Sequence, residues 1–144
     1  MYNIIRVFYS VGIHIASIWN PKARRWVTGR IGWKKTVDSW QASVGSKETL
    51  IIQSKVNGEK PETNNPEIIT PKSKTIWMHC ASLGEFEQGR PLLEAVKTNY
   101  PDHKIILTFF SPSGYEIRKN YEGADLIMYL PMDSIANASN FINA

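Results

Sequence analysis

Cysteine is nearly absent from this chain: Cys80 stands alone, so no intrachain disulfide can form, and no Cys/His spacing resembles a metal site. His79 beside it is therefore expected to be a core or pocket-edge residue, not a ligand. No G-x-G-x-x-G follows the first apolar strand-like run, which argues against dinucleotide binding. Gly84 and Gly89 have the separation of P-loop glycines, but Arg90-Pro91 occupies the place where Lys and Ser/Thr are required. Acids are scarce at one end. Residues 1–47 hold only Asp38 against eight basic residues (Arg6, Lys22, Arg24, Arg25, Arg30, Lys34, Lys35, Lys47), a net +7. The remainder, with nine basic and twelve acidic residues, carries −3, so an anionic partner is expected at the N-terminus alone.

Residues 1–19 are mostly apolar, with Asn3, Arg6, Ser10, His14 and Ser17 recurring at three- and four-residue steps along one stripe of a helix. The opposite face carries Ile4, Phe8, Val11, Ile15, Ile18 and Trp19. Pro21 stops this helix, and a basic run from 22 to 35 follows with Trp26 and Trp33 interleaved. The pattern reads as a membrane anchor with a positive cytoplasmic flank. An in-plane helix is favoured over a span, because the stretch is at the lower limit for crossing and contains Arg6; a buried core helix is the third reading. No small-x-small cleavage site follows, which argues against a signal peptide. Nucleic-acid binding by the basic run is set aside for want of an accompanying motif.

The chain divides into an anchor helix at 1–20, a basic flank at 21–53, a polar linker or loop with three prolines at 54–74, and an α/β unit at 75–144. Strands are expected at 76–80, 104–110 and 126–130, with helices at 84–99 and 115–120 and a last one beginning after residue 133. Alternating strands and helices imply a parallel sheet with right-handed crossovers. Three strands make half a Rossmann-like layer, so the sequence is expected to stop within a domain.

The three strand-to-helix turns share one rim of such a sheet, where ligands bind in open α/β folds. The first, Ala81-Ser82-Leu83-Gly84-Glu85, fits a capping box and also places a carboxylate at a helix N-terminus. Gly84 costs roughly 1 kcal/mol against alanine in a helical turn, which suggests a close approach to the backbone. Both readings can hold, Ser82 capping while Glu85 faces a substrate. In the second turn, Ser111, Ser113 and Gly114 can offer hydroxyls and N–H groups to a phosphate or sugar, or simply cap a helix. In the third, Asp133 can bind a hydroxyl, or it or Ser134 can cap the last helix.

These motifs in order, Ala81-Ser82-Leu83-Gly84-Glu85, Ser111-Pro112-Ser113-Gly114 and Tyr129-Leu130-Pro131-Met132-Asp133, resemble the N-terminal domain of 3-deoxy-D-manno-octulosonic acid (Kdo) transferases. Residues 20–30, Asn-Pro-Lys-Ala-Arg-Arg-Trp-Val-Thr-Gly-Arg after an apolar helix, are similar to that family as well. The resemblance implies a two-domain B-type glycosyltransferase, truncated here to its N-terminal Rossmann-like half-domain. It implies anchoring at the cytoplasmic face of the Gram-negative inner membrane, CMP-Kdo as donor, a lipid A precursor as acceptor, and inversion with no metal or other cofactor and no nucleic-acid partner. The family's base glutamate falls on Glu85, with Ser82, Gly84, Ser111, Ser113, Gly114 and Asp133 as substrate-binding candidates. The donor site is expected in a C-terminal domain beyond this chain, so the chain alone is expected to be inactive. A non-catalytic peripheral module that binds anionic lipid is the alternative.

Overall fold

The computed structural model describes residues 2–56 and 74–143. The polar stretch expected as a linker falls almost wholly outside them. Among these residues, three helices precede the sheet: α1 (Tyr2–Ala16), α2 (Pro21–Thr28) and α3 (Trp33–Val56). α1 ends at Ala16, short of the expected stop at Pro21; Pro21 instead opens α2, where Asn20 accepts from the N–H groups of Lys22 and Ala23 and proline takes the first helical position. Gly32, at φ 75°, makes the left-handed turn into α3.

Strands β1 (Thr75–Cys80), β2 (Lys104–Phe109) and β3 (Leu126–Tyr129) form a parallel sheet in the order β1-β2-β3. Helices α4 (Leu83–Asn99) and α5 (Pro112–Arg118) connect them, and α6 (Ile135–Ile142) follows. The expected α/β alternation is present, and each strand and the long connecting helix lie within one residue of their expected bounds. The register pairs Cys80 with Phe109 and Phe109 with Tyr129, so all three strands end at one level. At the other end Asp125 accepts from the Ile105 N–H at 2.9 Å, fixing where β3 begins.

One face of the sheet packs on α4 and α5 through Cys80, Leu107, Phe109 and Phe86, with Met78, Tyr115, Tyr121 and Ile127 around them. Burial of side chains of this size contributes on the order of 1.5–3 kcal/mol each, which makes this cluster the main source of cohesion. The opposite face is smaller. Thr108, fully buried, accepts from Trp77 Nε1 at 2.9 Å and bonds His79 Nδ1 at 3.0 Å, while Phe141 of α6 packs edge-on against Trp77. His79 bonds this buried threonine but is itself exposed, so it is not a core residue.

The N-terminal helix is inverted relative to an ordinary surface helix. Arg6 and Ser10, in its polar stripe, are half-buried against the chain, and Arg6 donates to the Asp133 carbonyl at 2.8 Å. Ile4, Phe8, Val11 and Ile15 face outward, with Phe8 74% exposed, which overturns the reading as a buried core helix. No helix among the described residues is long and apolar enough to cross a membrane. With 15 residues, α1 spans about 22 Å, short of roughly 30 Å of hydrocarbon.

The basic flank needs one correction. Trp26 and Arg30 are not an interfacial tryptophan and an exposed cation; they are 4% and 7% exposed and packed on each other. Arg30 stands in the turn two residues beyond the end of α2, and its guanidinium folds back over the Trp26 ring.

Candidate functional site

The C-terminal ends of the three strands form a continuous rim because backbone hydrogen bonds tie each turn to its neighbour. Phe110 N–H donates to the Cys80 carbonyl at 3.2 Å, Ser111 N–H to Ala81 at 2.9 Å, and Leu130 N–H to Phe109 at 2.9 Å. The first two turns are therefore in direct contact, and the third adjoins the second.

Glu85 lies in the first turn of α4, solvent-exposed, with Oε2 accepting from the Ala81 N–H at 2.6 Å. The helix N-terminus favours a negative charge there. The expected capping box is not formed. Ser82 occupies the N-cap position with extended backbone, but its side chain makes no capping hydrogen bond, and Glu85 reaches one residue further back, to Ala81. Burial, with the nearby Glu85 charge second, pushes the Cys80 thiol up, so this lone thiol is held neutral below the turn.

Gly84 is exposed, and a Cβ placed on it would meet nothing nearer than Ser82 Oγ at 3.9 Å. Among the described residues no atom requires glycine there, and its backbone stands open. Gly114 differs: it is buried, a Cβ would enter the Phe109 ring, and its N–H is spent on the Ser111 carbonyl. Packing explains this glycine, and its N–H is not offered to a ligand.

Ser111 caps α5, accepting from Ser113 N–H at 3.3 Å, and the two hydroxyls lie 3.0 Å apart. The cap reading of this serine is thereby realised, and it still leaves two adjacent hydroxyls on the rim. In the third turn the cap is Ser134, which accepts from Asn137 N–H at 3.1 Å; the Asp133 carbonyl receives Arg6. A cavity of about 290 Å³ opens between α1, α2 and the second turn, lined by Tyr9, Ile13, Lys22, Trp26, Ser111 and Pro112 among others.

Arg30 is the residue that charge counting misses. Its guanidinium donates from Nη1 to the Trp26 carbonyl and from Nη2 to the Phe110 carbonyl, both at 2.7 Å. It lies 3.8 Å from the Trp26 ring centre and 5.1 Å from those of Phe110 and Tyr129. Burial lowers its pKa to about 10, and burial likewise pushes the Tyr129 hydroxyl well above the usual phenol range. The signal available in the sequence is the short Trp26-x-x-x-Arg30 spacing, close enough for the cation to fold back over the ring.

The family model for 3-deoxy-D-manno-octulosonic-acid transferase (kdotransferase) matches residues 45–144, a span that contains all three rim turns. A 3-deoxy-D-manno-octulosonic acid transferase of Aquifex aeolicus is 34% identical over 67 residues, covering 46% of this chain and 18% of its own length. Its namesake in Haemophilus influenzae is 32% identical over 74 residues, covering 51% of this chain and 17% of its own. The matched segment thus spans less than a fifth of either relative. No solved structure matches. With the family model covering more than half of its residues, the chain belongs to the Kdo transferase family.

Proposed function

We propose that this chain is the acceptor-side portion of an inverting glycosyltransferase that moves Kdo from CMP-Kdo to a lipid A precursor. The observation that carries the reading is Glu85, an exposed carboxylate oriented by the Ala81 N–H on the rim of a parallel sheet, within the family-matched span. A sugar hydroxyl is a poor nucleophile until its proton leaves. As the acceptor oxygen bonds to the anomeric carbon of Kdo, its proton passes to Glu85 and the bond to CMP breaks, the electron pair leaving with the phosphate. A single displacement of this kind inverts the anomeric centre. Ser82, the open backbone at Gly84, the paired hydroxyls of Ser111 and Ser113, and Asp133 border the same rim and serve as acceptor contacts; Gly114 supports them by packing. The donor is held elsewhere in the full-length enzyme.

The location we infer is supported by α1. Its outward apolar face, flanked by the exposed cations Lys22, Arg24, Arg25, Lys34 and Lys35, suits an in-plane seat on the anionic cytoplasmic face of the inner membrane. The phosphorylated lipid acceptor lies in that same surface. A non-catalytic lipid-binding module would share this helix but would have no use for an oriented carboxylate.

The test is Glu85→Gln in a full-length transferase that carries this chain. Glutamine keeps an acceptor for the Ala81 N–H, so the melting temperature should hold, while loss of the base should lower turnover on the order of 100-fold or more. Near-parent Kdo transfer by this variant would leave the chain without a base and defeat the assignment.

A further inference from the structure

We propose that Arg30 is a positioning residue for Glu85, acting across the rim through one peptide group and Ala81. The Arg30 Nη2 donates to the Phe110 carbonyl at 2.7 Å. The N–H of the same peptide group, on Ser111, donates to the Ala81 carbonyl at 2.9 Å, and the Ala81 N–H in turn donates to Glu85 Oε2 at 2.6 Å. Three hydrogen bonds thus run from a guanidinium beside α2 to the carboxylate at the head of α4. The proposal rests on the reading of Glu85 as base, but the geometry it predicts can be measured without it.

Stability alone gives a poor account of this arginine. A cation that is 7% exposed is costly to bury, and among the described residues no carboxylate forms an ion pair with Arg30. Its Nε is buried without a hydrogen-bond partner, which adds to that cost. An apolar side chain of similar length would fill the space between Trp26, Phe110 and Tyr129 more cheaply. What it could not do is hold two carbonyls at once. The planar guanidinium presents donors in a fixed fork, here directed at Trp26 and Phe110, and the flat stack on Trp26 fixes the plane of that fork. The peptide group after Phe110 is then held from both sides, its oxygen by Arg30 and its N–H by Ala81. The turn bearing Ser111 therefore cannot rock without moving Ala81, and Ala81 is the donor that orients Glu85.

Arg30→Met removes both donors at similar volume, and Arg30→Lys keeps a cation on the ring with a single point of attachment. Amide hydrogen exchange on this chain should rise locally at Ala81, Ser111 and Ser113 in Arg30→Met, less so in Arg30→Lys, with little change at Leu93 or Ile105. In a full-length transferase, kcat should fall about 10- to 100-fold for Met, partly restored by Lys, with KM changed less than about threefold, the scale expected when a reacting group is misplaced by about 1 Å. If Arg30→Met does not fold, Arg30→Lys must show the local exchange pattern by itself. A uniform rise across all three strands, or no change at Ala81 in the folded variant, overturns the proposal. Local exchange with unaltered kcat would uphold the link but remove Glu85 from catalysis, which separates this inference from the functional reading.

Discussion

Gly114 lies flat against the ring of Phe109, so closely that a Cβ on the glycine would occupy the ring's own space. Phe109 is fully buried in the cluster with Phe86 and Leu107, so neither partner can give way. Gly114→Ala should therefore destabilise the chain by about 1–3 kcal/mol, the usual cost of overpacking. Gly84→Ala should do the opposite. With open space around it, alanine in the first turn of α4 should add up to about 1 kcal/mol. Denaturant midpoints of the two variants give the comparison. If Gly84→Ala is more stable yet transfers Kdo poorly in the full-length enzyme, substrate approaches that backbone; unchanged transfer would release Gly84 from the site.

Ser82 provides a second check on the same helix end. A capping serine is worth typically about 1 kcal/mol against alanine. Since its side chain makes no capping hydrogen bond, Ser82→Ala should cost less than about 0.5 kcal/mol by urea unfolding, below that capping scale. A loss of 1 kcal/mol or more, again on the capping scale, would mean that the hydroxyl caps α4 in solution.

The rim was legible in the sequence because it depends on pattern alone: three apolar runs separated by helical stretches must, in a parallel sheet, send all their C-terminal turns to one side. The partner of Glu85 was not legible, because Ser82-x-x-Glu85 spacing fits a box to Ser82 and a bond to Ala81 equally well. Two helices within the basic segment escaped notice for a different reason. Lys and Arg mask the apolar periodicity there, and Pro21 reads as a stop although Asn20 before it marks a start. Arg30 shows the limit of counting charges: it adds one to the net charge of the N-terminal segment, yet it faces the sheet and not a partner.

Stability at high pH should report the buried hydroxyls. Burial raises the pKa of Tyr129, and to a lesser extent that of Tyr121, above the phenol value of the unfolded chain. Between about pH 10 and the raised folded values, the unfolded chain gives up protons that the folded chain retains, so stability falls with rising pH. Arg30 works in the opposite sense. Burial lowers its folded pKa to about 10, below that of the unfolded chain, so the folded chain loses that proton first and gains some stability over the same window. The tyrosines outnumber it, and the net expectation is a falling melting temperature above pH 10. Tyr129→Phe should flatten the fall; an identical profile for parent and variant would show that Tyr129 titrates normally in the folded state.

Membrane attachment can be separated from folding because α1 uses different faces for each. Phe8, Val11 and Ile15 point outward, whereas Tyr9 packs edge-on against Trp26 at 5.6 Å and Ile13 lines the cavity beside Ser111. Replacing Phe8, Val11 and Ile15 with serine should leave the melting temperature nearly unchanged and abolish flotation with anionic vesicles. The exposed cations contribute roughly 1 kcal/mol each near an anionic surface, so Arg25→Ala or Lys34→Ala should weaken binding about fivefold. The same binding should decline as salt shortens the screening length from about 10 Å at 0.1 M. Tyr9→Ser should show the converse, lowering thermal stability through lost packing on Trp26 while the folded fraction still floats. Undiminished flotation of the triple serine variant would mean that the outward face of α1 meets something other than lipid.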